Sequence, residues 1–369
     1  MAIRILALVG DAYGGLGGIA RYNRDLFQAL SAAGAEILVV PRLGGATGVL
    51  PPGVRQWPAI RGRLGFSLAS LWRAWRHRPI DVVFCGHVFM APLALAVSRL
   101  LGARFWLQAH GTEIWRDRRP LIRRAIEGAD QLTTVSRGTR KLLLAWANVA
   151  PERVRVLPNT VDERFVPGPP APALRARFRL DGGPILLTVG RLASGERYKG
   201  HELIFSALPT LRARFPGLIH AVAGDGDDRE RLEARAAELA QDGDAVRFLG
   251  FVPDADLPDL YRLADLFVMP SSEEGFGIVY LEAAACGLRV VGGAGGGSAD
   301  AIPNGEIGVL VDPADRDGLI AAVTGLLRQG RTDGTAVAPY RRPHFEAMAR
   351  LLLARLMAQP RRGVPDERR

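Results

Sequence analysis

The sequence predicts an α/β protein of two doubly wound, Rossmann-like domains, each built on a parallel sheet. The chain has 369 residues, more than one hydrophobic core usually organises. Short apolar runs alternate with longer helical patterns in both halves, which is typical of parallel sheets covered by helices. A proline-rich stretch, residues 158–173, interrupts this alternation near the middle of the chain. Together these three observations predict two domains of similar size.

The N-terminal domain is predicted to span residues 1–166. Its strands are predicted at residues 3–9, 36–40, 81–86, 104–109, 131–136 and 153–158. Helical patterns lie between them at 18–33, 91–101, 119–128 and 137–147. Because each strand is followed by a helix, neighbouring strands are expected to run parallel.

The C-terminal domain is predicted to span residues 167–340. Its strands are predicted at residues 184–190, 219–224, 246–250, 265–270, 289–293 and 308–312. An amphipathic helix is predicted at 341–359, and the polar tail 360–369 is expected to be disordered.

Composition excludes several classes of protein. The two cysteines, Cys85 and Cys286, lie in apolar runs and are predicted to be buried thiols, so neither a disulfide framework nor a zinc set is expected. No uncharged apolar run reaches the roughly 18 residues that span a bilayer, and no signal peptide is visible. We therefore expect a cytoplasmic protein, either soluble or peripheral at the inner face of the cell membrane.

The positive charge is concentrated in the first half of the chain. The stretch 55–79 combines arginines with three tryptophans and several leucines, and it contains no acidic residue. Basic faces that carry Trp and Leu suit an anionic membrane surface, which is the partner predicted here. The alternative is a solvated helix that packs on its own domain. No nucleic-acid motif accompanies the charge, so no nucleic-acid partner is predicted.

The segment PSSEEGFGIVYLEAAACG, residues 270–287, is the strongest motif. It follows a predicted strand, and a helix is expected to begin at about Phe276. The backbone N–H groups of Phe276, Gly277 and Ile278 would then form an anion site at the helix start. Glu274 would lie at the mouth of this helix, with Glu282 two turns in and roughly on the same face. Ordinary helix charges are the alternative interpretation.

A second motif, VGRLASGERYKG, places Arg191 and Lys199 after a strand and before a helix. The chain contains only two lysines, Lys141 and Lys199, so a lysine at this position departs from the general use of arginine. An arginine fork and a lysine point charge together suit a diphosphate. The alternative is a pair of surface cations.

Weaker motifs also follow predicted strands. His110, in HGTE, could contact a sugar hydroxyl or a phosphate. In GFV (250–252), the backbone up to Val252, or Phe251, could contact a base. Asp225 and Asp227 are predicted to cap the next helix, and a hydrogen bond to a ligand is the alternative.

In this order, the motifs resemble those of the retaining glycosyltransferases of family 4, of the bacterial polysaccharide and glycolipid type, which have the GT-B fold. The resemblance runs from about residue 1 to 355. It rests on GGIARY (17–22), HGTE (110–113), VSRGTRKLL (135–143), VLPNTVDERFVPG (156–168), GRL and YKG within 190–200, AGDGDDRERL (223–232), FLGFV (248–252) and EGFGIVYLE (274–282). It implies two domains facing across a cleft, with the donor on the second, the acceptor on the first, and a final helix returning to the first.

The resemblance also implies residue roles. Arg191 and Lys199 would bind the diphosphate, Glu274 the donor sugar and Glu282 the ribose. His110 would contact the donor sugar or the departing phosphate, which completes a catalytic set of Glu274, His110, Arg191 and Lys199. The other donor-binding positions would be Gly17, Gly18, Val252 and the amides of Phe276, Gly277 and Ile278.

Two departures from the family pattern make the prediction of which donor binds less specific. The spacer between Arg191 and Lys199 is about two residues longer than is common, and Asp300 stands where many relatives have Glu. A dinucleotide site at Gly15, Gly17 and Ala20 is a poor alternative, because the loop does not follow its strand at once and the second strand ends without an acidic residue.

The implied reaction moves a hexose, from GDP-mannose or a UDP-hexose, to the hydroxyl of a lipid-linked or glycan acceptor. It implies retention of configuration, with no cofactor and no metal ion. Whether Glu274 is a nucleophile or orients the sugar stays open. The alternatives are a sugar-nucleotide epimerase of the same fold and a non-catalytic nucleotide-binding member of an assembly complex.

Overall fold

The computed structural model describes residues 2–15, 17–45, 49–111, 113–114, 119–303 and 305–359. The tail that was predicted to be disordered, 360–369, lies outside these residues. The chain forms two compact units, Met1–Thr160 with Pro343–Arg369, and Val161–Arg342. The change from the first unit to the second falls inside the proline-rich stretch 158–173.

The first unit is built on a parallel sheet of seven strands in the order β3-β2-β1-β4-β5-β6-β7. In the register, Ile5 lies between Ile37 and Val82, and side chains on both faces of β1 are buried. The strands are β1 (Arg4–Val9), β2 (Glu36–Pro41), β3 (Val54–Gln56), β4 (Val82–Cys85), β5 (Arg104–Ala109), β6 (Gln131–Thr134) and β7 (Val154–Val156).

Helices cover this sheet, as expected for strands that are buried on both faces. They are α1 (Gly18–Ala32), α2 (Arg63–Arg76), α3 (Ala91–Leu101), α4 (Pro120–Glu127) and α5 (Arg137–Leu144). Gly17 precedes α1 with φ at +90°, a backbone conformation that glycine adopts without strain.

The second unit repeats the architecture with six parallel strands in the order β10-β9-β8-β11-β12-β13. These strands are β8 (Ile185–Val189), β9 (Ile219–Ala223), β10 (Val246–Gly250), β11 (Leu266–Met269), β12 (Arg289–Gly293) and β13 (Gly308–Val311). Its helices are α6 (Pro172–Phe178), α7 (His201–Arg214), α8 (Arg229–Ala240), α9 (Leu257–Leu263), α10 (Ile278–Ala285), α11 (Ser298–Ala301) and α12 (Arg316–Gln329).

The C-terminal helix α13, Arg342–Ala358, makes its contacts with the first unit. The Phe345 ring meets the Tyr22 ring edge to face at 5.9 Å. Near the end of the helix, Arg104 donates a hydrogen bond to the Met357 carbonyl at 2.8 Å. Ring packing and a side-chain hydrogen bond therefore hold α13 against α1 and β5.

The predicted fold class, two Rossmann-like parallel α/β domains, is confirmed. In each sheet the strand order reverses, between β1 and β4 and between β8 and β11, and ligands of such sheets bind at the carboxyl ends of strands near this reversal. Cys85 and Cys286 are free and buried, as predicted. Within the described residues, no helix combines the length and the apolar character needed to cross a membrane.

Candidate active site

Arg191 and Lys199 meet at the carboxyl end of β8. The chain leaves β8 at Val189, turns through Gly190 and Arg191, and passes through a 3-10 segment, Ser194–Lys199, into α7. The ammonium of Lys199, which is 8% exposed, donates to the Arg191 carbonyl at 2.9 Å. A Cβ on Gly190 would lie 2.9 Å from the Lys199 Nζ atom, so this glycine makes room for the lysine. The structure therefore brings together the two cations that the sequence proposed.

Glu196 is a member of this cluster that sequence reasoning missed. Its Oε2 atom lies 2.6 Å from Lys199 Nζ, and its Oε1 atom accepts a hydrogen bond from Arg191 Nη2. One carboxylate thus serves both cations. The spacing of three residues before Lys199 is the signal in the sequence that indicates this contact.

Glu274 lies in the loop between β11 and α10. The Gly297 N–H donates to the Glu274 carbonyl, and a Cβ on Gly296 would lie 2.3 Å from that carbonyl oxygen. These glycines therefore allow the loop to pack closely. Burial raises the pKa of the Glu274 carboxyl to about 7, although the Lys199 ammonium acts in the opposite direction. Near neutral pH this carboxyl is present in both protonation states.

The helix after Glu274 begins later than predicted. α10 starts at Ile278, with Gly277 preceding it at φ +88°, so the expected start at Phe276 is wrong by two residues. Glycine is required at 277, because a Cβ there would lie 2.4 Å from the Tyr280 ring. The N–H group of Ile278, the first residue of α10, has no acceptor within the helix. An anion site at this N–H group therefore stays a prediction. Phe276 and Gly277 belong to the preceding loop.

Glu282 lies inside α10 and is 3% exposed. Its Oε2 atom accepts a hydrogen bond from the Tyr261 hydroxyl at 3.0 Å. Glu274 lies before the helix, as predicted, and its alignment with the face that carries Glu282 stays a prediction. The contact of Glu282 with a ribose stays a prediction.

The loops after β9 and β10 have different roles. Asp225 and Asp227 do not cap α8, whose preceding residue Asp228 makes no side-chain cap hydrogen bond. Instead, Asp227 accepts hydrogen bonds from the backbone N–H and hydroxyl of Ser194, at 2.9 and 2.6 Å, so it anchors the 3-10 segment. After β10, Val252 is buried, and its contact with a base stays a prediction.

In the first unit, His110 follows β5. Its Nε2 atom lies 3.1 Å from the Gly86 carbonyl, its backbone N–H donates to Glu113 at 2.6 Å, and its ring meets Tyr22 edge to face. Since a carbonyl oxygen only accepts, Nε2 carries the proton and Nδ1 is left as an acceptor. Burial lowers the pKa of His110 to about 4, so the imidazole is neutral at pH 7.

His87 and Glu113 were also missed by sequence reasoning. The pKa values of His87 and His110 are both lowered by burial, and the Glu113 carboxylate opposes both shifts. His87 follows β4 just as His110 follows β5, and this shared position at strand ends was the available signal. The two histidines and Glu113 therefore form one electrostatic cluster.

Gly17 and Gly18 open α1 after the glycine-rich loop. A Cβ at either position would meet no atom within 4 Å, so neither glycine is required by close packing. Gly17 is required by its positive φ, whereas Gly18 is helical. Their approach to a ligand stays a prediction.

A cavity of about 730 Å³ opens beside Arg191 and Glu196 in the second unit. Its walls include Arg191, Glu196, Ser272 and Gly295. This volume is within the range of small-molecule sites. The described residues contain no group of three or more His, Cys, Asp or Glu side chains placed to hold a metal ion. Metal independence stays a prediction.

The fold and these sites define a two-domain α/β protein whose strand-end residues suit a phosphorylated ligand. Residues 172–336 match the family described as Glycosyl transferases group 1, and residues 16–165 match Glycosyltransferase Family 4. The chain belongs to this family of glycosyltransferases, which confirms the resemblance found in its motifs.

Three similar proteins illustrate the range of relatives. A GDP-mannose-dependent alpha-(1-6)-phosphatidylinositol monomannoside mannosyltransferase of Mycolicibacterium smegmatis is 35% identical over 267 residues, 68% of each chain. A D-inositol 3-phosphate glycosyltransferase of Frankia alni is 32% identical over 365 residues, 87% of each chain. The structure of Anabaena HepE in complex with UDP-glucose aligns with a TM-score of 0.78 at 19% identity, covering 96% of this chain and 100% of that one. The last likeness shows a shared fold.

Proposed function

We propose that this protein is a retaining, metal-independent hexosyltransferase that moves mannose from GDP-mannose to a hydroxyl of a lipid-linked acceptor. The observation that carries the proposal is that the charged groups of Arg191 and Lys199 converge on one carboxylate, that of Glu196, in the segment that follows β8. The names of the Mycolicibacterium and Frankia relatives favour GDP-mannose and an inositol-containing acceptor. The HepE complex supports a UDP-hexose as the second candidate donor.

In the proposed reaction, the bond from the anomeric carbon to the diphosphate oxygen breaks, and a bond from that carbon to the acceptor oxygen forms on the same face. The acceptor proton passes to the leaving diphosphate. Arg191, Lys199 and the first amides of α10 would stabilise the charge that develops on this leaving group. The neutral His110 would offer its Nδ1 atom to a sugar hydroxyl.

For Glu274 we propose an orienting role. A carboxyl whose pKa is about 7 is protonated in a large fraction of molecules at neutral pH, and the protonated form is a poor nucleophile. Both of its protonation states can hydrogen-bond a sugar hydroxyl. The chemistry therefore favours hydrogen bonding to the donor sugar over covalent attack.

Thermal unfolding in the presence of EDTA tests the donor site. GDP, UDP, ADP, their sugar conjugates, NAD and NADP are each added at high concentration. A ligand at about 100 times its dissociation constant stabilises the folded protein by about 2.7 kcal/mol, which moves the midpoint by several degrees. We expect a shift with GDP or GDP-mannose, and in Lys199→Ala a shift that is smaller by about half or more. A shift with NAD or NADP alone would contradict the proposal.

The anomeric configuration tests retention, and EDTA tests metal independence. The proton-coupled carbon spectrum of the purified product should show the α configuration of the donor, and the initial rate should be unchanged by EDTA. A β-linked product, or a rate abolished by EDTA and restored by Mg²⁺, would remove the corresponding part of the proposal.

A further inference from the structure

The predicted diphosphate cations share an internal anion. Glu196 places one carboxylate oxygen 2.6 Å from Lys199 Nζ and offers the other to Arg191. A carboxylate presents two oxygens to two donors in the same way as a phosphate group does. Both cations keep further N–H donors, but a phosphate that takes the donors now bonded to Glu196 must displace it, and a phosphate that takes the others must approach its negative charge.

Partial burial strengthens the attraction between Lys199 and Glu196. The side chains of Lys199 and Glu196 are 10% and 15% exposed, so water screens their attraction only in part. The Arg191 side chain is 77% exposed and can follow a ligand into solvent. Glu196 therefore pairs with one buried and one exposed cation.

The backbone around Glu196 is held at both ends. Asp227 anchors Ser194, and the Ser272 N–H donates to the Tyr198 carbonyl at 2.8 Å. The adjacent Gly195 has open space around its Cβ position. Because the backbone is held on both sides, we expect that Glu196 gives way to a phosphate by rotation of its side chain.

We propose that Glu196 competes with the nucleoside diphosphate for Arg191 and Lys199 and so lowers the affinity of the donor site for it. When that product leaves, the Glu196 carboxylate pairs with both cations again. This inference rests on the proposed function, because it requires that the two cations bind a diphosphate. Beyond that function, it assigns a role to Glu196, which contacts the same two cations and weakens the binding of the ligand.

Calorimetric titration of the Glu196→Gln variant tests the inference. Glutamine keeps the shape of the side chain and removes its charge. We expect GDP, or UDP if that is the nucleotide bound, to bind about tenfold more tightly than to the wild type, and product inhibition to strengthen in parallel. The matching nucleoside, guanosine or uridine, should bind with unchanged affinity, because it carries no phosphate.

Glu202→Gln is the matched control. Glu202 lines the same cavity and pairs with Arg231 and Arg235, away from the cation pair. An affinity gain in this control equal to that of Glu196→Gln would overturn the inference, because the effect would then be general electrostatics. If Glu196→Gln does not fold, Glu196→Ala carries the same expectation.

The other outcomes separate this inference from the proposed function. If the wild type binds a nucleoside diphosphate but Glu196→Gln binds it equally or more weakly, Glu196 positions the cations and the competitor role is wrong. If the wild type binds neither GDP nor UDP, the proposed function fails and this inference fails with it.

Discussion

Lys199 is the residue on which the proposed donor site depends most. Its ammonium is buried and makes close contacts with the Arg191 carbonyl and the Glu196 carboxylate. A charge-assisted hydrogen bond to a phosphate is worth about 1.5–3 kcal/mol. We therefore predict that Lys199→Ala weakens binding of the nucleoside diphosphate by about 10- to 100-fold, measured by calorimetric titration.

Arg197→Ala is the control for that prediction. Arg197 belongs to the same 3-10 segment, but its guanidinium pairs with Asp228 at 3.2 Å. Its removal should change nucleotide affinity by less than threefold, a limit of about 0.6 kcal/mol. Equal losses in the two variants would place the diphosphate elsewhere.

The raised pKa of Glu274 predicts that the stability of the folded protein depends on pH. Burial raises its pKa from 4.5 to about 7 in the folded protein, so folding favours the protonated form. This contribution is fully present below about pH 4.5 and is lost as the pH rises through about 7, a loss of up to about 3 kcal/mol. Glu274→Gln should reduce the decrease in the free energy of unfolding between pH 5.5 and pH 8.5.

Urea unfolding of wild type and Glu274→Gln at the two pH values makes this measurement. The other titrating groups are common to both proteins, so their contributions cancel in the comparison. An identical pH dependence in the two proteins would show that Glu274 titrates normally.

At the scale of elements, the start of α10 depends on Gly277. Its φ is +88°, and a Cβ there would lie 2.4 Å from the Tyr280 ring. Gly277→Ala should therefore lower the free energy of unfolding by about 1–3 kcal/mol, measured by urea unfolding. Gly325→Ala, at an open position inside α12, should instead stabilise the protein by up to about 1 kcal/mol. A neutral Gly277→Ala would mean that the loop can relax.

α2 presents an exposed apolar stripe. Leu64, Leu68, Trp72 and Trp75 are 60–82% exposed, whereas the opposite side of the helix buries Phe66 and packs on its own unit. The helix therefore both packs on its unit and exposes Trp and Leu beside arginines. We propose that this stripe contacts an anionic membrane surface.

Vesicle co-sedimentation tests this proposal. The double variant Trp72→Ser, Trp75→Ser should bind vesicles containing phosphatidylglycerol at least tenfold more weakly, since each large apolar side chain contributes about 1.5–3 kcal/mol when buried. Leu351→Ser, which removes an exposed leucine from α13, is the control. Unchanged binding of the double variant, or equal binding to neutral vesicles, would contradict the proposal.

For the whole molecule, the sequence predicted the strands and helices that repeat with a clear period. It missed β3, because three residues after Pro51, Pro52 and Gly53 are too few to show alternation. The order of the strands in each sheet could not be predicted either, because apolar runs do not indicate which strands are neighbours.

The candidate site was predicted in part, for a similar reason. Arg191, Lys199 and His110 follow strands, so the rule for strand ends located them. Glu196 and Glu113 lie within five residues of the site residues they contact, but spacing alone does not show that their carboxylates turn toward Lys199 and the His110 backbone. The pKa of Glu274 depends on burial, which spacing in the sequence does not report.

Transfer of labelled sugar tests the central claim most directly. The purified protein is incubated with radioactive GDP-mannose or UDP-glucose and a membrane lipid extract, and radioactivity in the lipid phase is counted. We predict that label from one donor enters the lipid phase and that Lys199→Ala abolishes this transfer. Consumption of donor with no labelled acceptor, or binding without any turnover, would contradict the account and favour an epimerase or a non-catalytic binding protein.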